Sequence, residues 1–258
     1  MCILLTAWRE HARYDLVVAA NRDEFHARPS APAAPWRDHP ELVAGRDLEA
    51  GGTWLGVARS GRFAAVTNLR RPGQAAGSRS RGLLVSSWLQ SNLAAREHAA
   101  TLVNDADDYA GVNLIFADAD ALCAWSNQDN RVRTLDAGVY GLSNAALDVE
   151  WPKVTRLKHA YARHRALEGD ALVDALLAVL RDDTLAVDAE LPDTGIGLAR
   201  ERVLSPIFID GGGYGTRCSS VVLREPGGRT LFVERRYDAA GRACGDSRYE
   251  LTTGGTRT

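Results

Sequence analysis

The opening run Met1–Cys2–Ile3–Leu4–Leu5–Thr6–Ala7–Trp8, with its return through Leu16–Val17–Val18–Ala19–Ala20 into Asn21–Arg22–Asp23–Glu24, decides how this chain is read. Ile3 to Trp8 and Leu16 to Ala20 are short β-rich runs around a polar turn, the pattern of two neighbouring strands. A cysteine therefore stands at the head of the first strand and a charged run beyond the second. Removal of Met1 would give Cys2 a free α-amine beside its thiol. Such an amine has an ordinary pKa of about 7.7–8.0, suited to accepting a proton near neutrality. Nucleophile and base would then share one residue. The side chain at position 2 is small enough for methionine excision, so the mature protein is expected to lack Met1. The competing reading makes Cys2 a small buried hydrophobe in an edge strand, the common fate of a free cysteine.

Working outward, Trp54 to Ala58 and Phe63 to Thr67 bracket Arg59–Ser60–Gly61–Arg62 as a hairpin. Pro29, Pro32, Pro35 and Pro40 between Glu24 and Pro40 block a regular helix and predict a semi-extended surface loop. Arg81 to Asn92 and Leu93 to Asn104 read as two helical pieces broken near Ser91–Asn92. Strands follow at Asn113 to Ala117, Leu122 to Ser126 and near Val132 to Leu135. Trp151 to Leu167 has proline at an early helical position and Val154, Leu157, Tyr161 and Ala162 on one face. Asp170 to Leu180 predicts a second helix packed antiparallel to it, capped by the aspartate. Residues 188–202 read as turns. Ser219 to Arg224 and Thr230 to Arg235 form a hairpin around Pro226–Gly227–Gly228, and Tyr249 to Thr252 adds a last strand. Strands, then helices, then strands make an α+β chain without a solenoid period.

The 258 residues, 45% hydrophobic and 25% charged, suit one domain over residues 1–258 with a large core. A net charge of −2 argues against a nucleic-acid binder, which needs excess Lys and Arg on phosphates. No apolar run approaches the roughly 18 residues that cross a bilayer, so stable membrane insertion is not expected and the cytoplasm is the default compartment. Cys2, Cys123, Cys218 and Cys244 are widely spaced without a C-x-x-C pair, and neither zinc nor a disulfide framework is indicated. Gly211–Gly212–Gly213 lacks the lysine of a phosphate loop and reads as a hinge.

Seven segments extend the pattern along the chain. They are Met1–Cys2–Ile3, Ala19–Ala20–Asn21–Arg22–Asp23–Glu24–Phe25 with Arg28–Pro29, Gly51–Gly52–Thr53–Trp54–Leu55–Gly56, Ala65–Val66–Thr67–Asn68, Gly111–Val112–Asn113–Leu114–Ile115, Tyr140–Gly141–Leu142–Ser143–Asn144 and Gly213–Tyr214–Gly215–Thr216–Arg217. In order and spacing they resemble the NRDE family, also called the transport and Golgi organisation protein 2 family. The resemblance implies an N-terminal-nucleophile hydrolase fold, a four-layer αββα sandwich. It also brings a proposed role in haem handling, and fold alone does not choose between the two functions.

Cys2 is the candidate nucleophile and Arg22 the cation that would lower its thiol pKa. Asp23 would orient the α-amine or pair with Arg22, or else form a surface ion pair at a strand end. In related N-terminal cysteine hydrolases an aspartate follows the arginine by three residues, whereas Asp23 follows Arg22 directly. Asn68 and Asn144, both after strand ends, are oxyanion-donor candidates or turn residues, with Asn113 a weaker third. Arg217 would complete the charged network, bind an anionic substrate group, or stand solvated at a strand start. Trp54 is an aromatic wall or a core anchor. Two functions follow: an N-terminal cysteine amidohydrolase cleaving a small-molecule amide through a thioester, which requires no cofactor or metal, or a haem-binding protein. For haem, the six histidines form no attachment motif, and His26 and Cys2 are the conceivable ligands.

Overall fold

β1 (Cys2–Trp8) and β2 (Leu16–Phe25) pair antiparallel, with Cys2 opposite Arg22 and Trp8 opposite Leu16. In this computed structural model residues 2–70, 72–73 and 77–252 are described, so Met1 and the expectation of its removal lie outside them. β2 does not stop at Ala20. It continues through the charged run because β11 (Tyr214–Arg224) pairs with it from Leu16 to Phe25, whereas β1 accompanies it only from Leu16 to Arg22. The first sheet runs β10 (Gly138–Leu142), β1, β2, β11, β12 (Thr230–Tyr237), β13 (Ala243–Leu251).

The second sheet runs in chain order: β3 (Ser30–Pro35), β4 (Leu42–Asp47), β5 (Leu55–Ala58), β6 (Phe63–Asn68), β7 (Val112–Ala117), β8 (Leu122–Ser126), β9 (Arg131–Leu135). The proline-rich segment is therefore partly a strand rather than a loop. β3 lies at the sheet edge, where a residue without an N–H is tolerated, and its register with β4 shifts between Ala31 and Ala34, around Pro32. The expected hairpins at β5–β6 and β11–β12 are present.

Three apolar layers separate four structural ones. Leu4, Trp8, Val18, Ile115, Val222 and Phe232 fill the space between the sheets. α1 (Gly82–Gln90) and α2 (Ala95–Leu102) cover the second sheet through Leu84, Trp88 and Ala99. α3 (Pro152–His164) and α4 (Gly169–Val179) cover the first through Val154, Leu157, Tyr161, Leu172 and Leu176. Two details differ from the expected helix ends. Asp170 makes no capping hydrogen bond, and Gly169 opens α4 at φ +54° instead of closing α3. Part of the expected turn region forms α5 (Leu198–Val203), which matters below. Among the described residues no helix is long and apolar enough to cross a membrane.

The helix layer is fastened by Asn21. Its buried Nδ2 donates to the carbonyls of Leu180 (2.8 Å) and Ile207 (2.9 Å), while its Oδ1 accepts from Ser219 Oγ at 2.6 Å. Asn21→Ala strands two carbonyls in the core, and we expect a loss of about 2–4 kcal/mol in urea unfolding. An unchanged midpoint would show that Asn21 does not carry this junction.

Candidate active site

Side chains alternate along a strand, so β2 sends Arg22 into the space between the sheets and Asn21 and Asp23 toward the helix layer. Cys2, paired with Arg22, shares its face. The two line a cavity of about 120 Å³ with Asp23, Glu24, Arg28, Asp47, Thr53, Trp54, Asn68, Arg81 and Gly82. Arg22 is 5% exposed, and its guanidinium lies over the Trp54 ring at 4.3 Å. The same ring packs against Gly45, where an added Cβ would fall 2.1 Å from Trp54 Cη2. Trp54 is thus both a cavity wall and a packed anchor. Gly52 passes so near the start of α1 that a Cβ there would meet the Gly82 carbonyl carbon at 2.4 Å, which brings the N-terminus of α1 to the cavity.

The two asparagines have different places. Asn68 ends β6 and lines the cavity. Asn144, 2% exposed, stands behind it: its Nδ2 donates to the Asn68 carbonyl at 2.9 Å, and its own carbonyl accepts from Arg70 N at 2.8 Å. Ser143 Oγ donates to the Cys2 carbonyl at 3.1 Å, so the Ser143–Asn144 pair grips both the nucleophile strand and the end of β6. Asn113 is a brace, donating to Thr67 Oγ1 and the Ala145 carbonyl. Arg217 does not line the Cys2 cavity. It is the residue at the β11 bulge and donates to the carbonyls of Phe25 (2.9 Å) and Arg28 (3.0 Å), holding the turn that follows β2.

Asp23 is 1% exposed, which removes the surface ion-pair reading. Its Oδ1 accepts from Thr216 Oγ1 at 2.7 Å and its carbonyl from Tyr214 Oη at 2.9 Å. Burial raises the Asp23 carboxyl, while Lys153 and Arg70 draw it down. Neither cation was anticipated from sequence. Lys153, the second residue of α3, is 2% exposed and donates to the Leu204 carbonyl at 3.0 Å. Burial lowers it to about 8, and Asp23 opposes that fall. Arg70 forms a buried ion pair with Glu201 of α5. The pattern of α3 marks Lys153 only as an unusual cation near a buried face, and Glu201 carries no local signal at all.

Burial also raises the Cys2 thiol above its ordinary value, with Asp23 adding to the rise. Arg22 and a hydrogen bond from the backbone at Asp23 act downward. Arg22 therefore works in the expected direction, but desolvation is the larger effect. Next to the cavity, sharing Glu24, Arg28, Asn68 and Arg81 with it, lies a groove of about 940 Å³ with Phe25, Val203 and Leu204 on its walls. His26 is not among the residues that line either space. Among the described residues no group of three or more His, Cys, Asp or Glu is arranged to hold a metal ion.

Two facing antiparallel sheets between helix layers, with cysteine at the start of a central hairpin, define the N-terminal-nucleophile hydrolase fold. The C2A mutant of conjugated bile acid hydrolase from Clostridium perfringens has this fold, with a TM-score of 0.52 and 9% identity over 100% of both chains. The chain belongs to the Transport and Golgi organisation 2 family, whose model matches residues 1–239. It is similar to the Transport and Golgi organization protein 2 homologs of Bos taurus and Homo sapiens, 38% and 35% identical over 242 residues, covering 86% of each chain. The Drosophila melanogaster protein is 29% identical over 257 residues at the same coverage.

Because burial holds the thiol protonated, alkylation of Cys2 by iodoacetamide should rise with pH to a midpoint above the ordinary thiol range. Arg22→Ala removes a downward influence and should move the midpoint higher and slow reaction at pH 8. A rate–pH profile identical in both proteins would rule out Arg22 as the thiolate's partner.

Proposed function

We propose that the protein is an N-terminal cysteine amidohydrolase. The observation that carries this reading is the placement of Cys2 on a cavity wall against Arg22 and within the same cavity as Asn68. After removal of Met1, the α-amine of Cys2 takes the thiol proton and Sγ adds to the amide carbonyl carbon. The oxyanion accepts a hydrogen bond from Asn68, which Asn144 holds in place. Collapse breaks the C–N bond, the proton passes to the departing amine, and a thioester remains on Cys2. Water, deprotonated by the same amine, then adds to the thioester and releases a carboxylic acid with the free thiol. Arg22 counters the sulfur charge before attack and after release, and Asp23 fixes the strand end where the amine sits. The neighbouring groove supplies apolar walls for the bulk of the substrate.

The fold is shared with a protein named a conjugated bile acid hydrolase, which supports hydrolysis of a conjugate as the reaction class by analogy only. No observation favours haem binding over this reading. Turnover of a panel of acyl amides, followed with intact-mass detection of an acyl adduct on Cys2, tests it. Cys2→Ala should lower turnover at least about a thousandfold and abolish the adduct. Protein engineered to retain a residue before Cys2 should be similarly inert. Full activity in either form would overturn the mechanism.

A further inference from the structure

A second cavity of about 140 Å³ adjoins the first, with Arg22 and Trp54 common to both. Arg217, Cys218, Glu234 and Arg236 lie around it. The sheet register explains the gathering: Cys2 pairs with Arg22, Arg22 with Cys218, Cys218 with Arg236, and Arg236 with Gly245, so the side chains of this row face the same way across five strands. Three guanidiniums meet one carboxyl. Among the described residues, Arg22 makes a 3.5 Å contact to Ser30 Oγ besides Trp54, Arg217 is bound to carbonyls, and Arg236 Nε has no hydrogen-bond partner. Among the described residues none of the three is ion-paired, although Arg28 and Arg235 are. Glu234 does not balance them: its Oε1 accepts from Ala33 N at 2.8 Å, and burial raises its carboxyl.

Arg236 lies against Gly245. A Cβ on Gly245 would fall 2.2 Å from Arg236 Nη2, so the guanidinium occupies the space that any other residue there would fill. Gly245 stands at φ +149°, a conformation open to glycine. A glycine at this position leaves room for the cation beside the cavity.

We propose that this cavity is an anion subsite of the same active site, binding a carboxylate, sulfonate or phosphate carried by the substrate between Arg22 and Arg236. The subsite lies above β11, two strands from Cys2. With neighbouring strands about 4.8 Å apart, the anionic group sits about 10 Å from the reacting sulfur. The substrate class is therefore an amide with an anionic group at that span, on whichever side of the C–N bond enters first. The guanidiniums offer planar paired donors, which suit oxyanions better than a point cation would.

This inference rests on Cys2 as the nucleophile, and the test separates the two. N-chloroacetyl-6-aminohexanoate, whose extended chain matches the span, is compared with its neutral carboxamide. In each case the Cys2 thiolate displaces chloride and forms a C–S bond. The carboxylate reagent should react about tenfold faster at low salt, and the preference should shrink as salt is added. In Arg236→Gln the ratio of the two rates should fall to about one, and Arg236→Lys should restore part of it. Inorganic sulfate at constant ionic strength should slow the carboxylate reagent selectively and raise the melting temperature of the wild-type protein but not of Arg236→Gln. Equal rates for the two reagents in the wild type, or a preference that survives Arg236→Gln, would overturn the subsite. If Cys2 reacts with neither reagent, the nucleophile reading fails, and the sulfate dependence of the melting temperature alone decides the subsite: no difference from Arg236→Gln would sink it.

Discussion

The structure depends on the antiparallel pairing of β2 with strands on both sides. The strand is paired on both sides from Leu16 to Arg22 and by β11 from Asp23 to Phe25, and its side chains have only two directions available. Asn21, Arg22, Asp23 and Glu24 are strongly polar, yet the first three are buried, because the neighbouring strands hold the backbone in place whatever the side chains prefer. The cost of burying them is met by specific partners. Asn21 is saturated by two carbonyls and a hydroxyl, Asp23 by Thr216 with Lys153 and Arg70 near it, and Arg22 by an aromatic face. One run of sequence thereby performs three tasks: Asn21 fastens the helix layer, Arg22 faces the thiol, and Asp23 ties the strand end to the buried ionic cluster.

That cluster links the site to its surroundings. Arg70 follows Asn68 by two residues, donates its backbone N–H to the carbonyl of Asn144, and reaches Glu201 of α5. Glu201 also accepts from Thr194 N at 3.1 Å, and Lys153 holds the Leu204 carbonyl at the end of the same helix. The short helix that walls the groove is consequently anchored by charges behind the candidate oxyanion donor. A buried ion pair is weak evidence of stability, since desolvation offsets much of the attraction. Its value here is geometric. Removing one partner would leave an unpaired charge, so α5 has one favourable docking position and the groove one shape.

Much of this was legible in the sequence where the signal is local. Alternating apolar runs located the β5–β6 and β11–β12 hairpins, and the apolar stripe on α3 identified Val154, Leu157 and Tyr161 as buried, although Ala162 is exposed and Ala160 is buried in its place. Cys2, Arg22, Asp23 and Asn68 line one cavity. What escaped depends on distant partners. Pro32 reads as a strand breaker until β3 is known to lie at an edge, and the charges after Ala20 read as a strand end until β11 is placed beside them. Asn144 does not line the cavity but donates to the Asn68 carbonyl, a bond spanning 76 residues that no local pattern encodes. Arg217 and Arg236 follow the same rule: their meeting with Arg22 is a property of sheet register, not of motif spacing.

The raised thiol and the surplus of guanidinium charge are two sides of one arrangement. Burial disfavours a thiolate at Cys2, and the cations that would offset this act across a sheet where the carboxyls of Asp23 and Glu234 are themselves disfavoured as anions. A partly buried site with more positive than negative charge is under-compensated until an anion enters, and its field is stronger than the same charges would produce in water. Entry of an anionic substrate would neutralise Arg236 and Arg22 at one end while excluding water from the Cys2 cavity at the other. The same strand spacing that separates Cys2 from Arg236 then sets how far the substrate's charge must stand from its carbonyl, so the selectivity of the site follows from the register of a sheet whose central strand is β2.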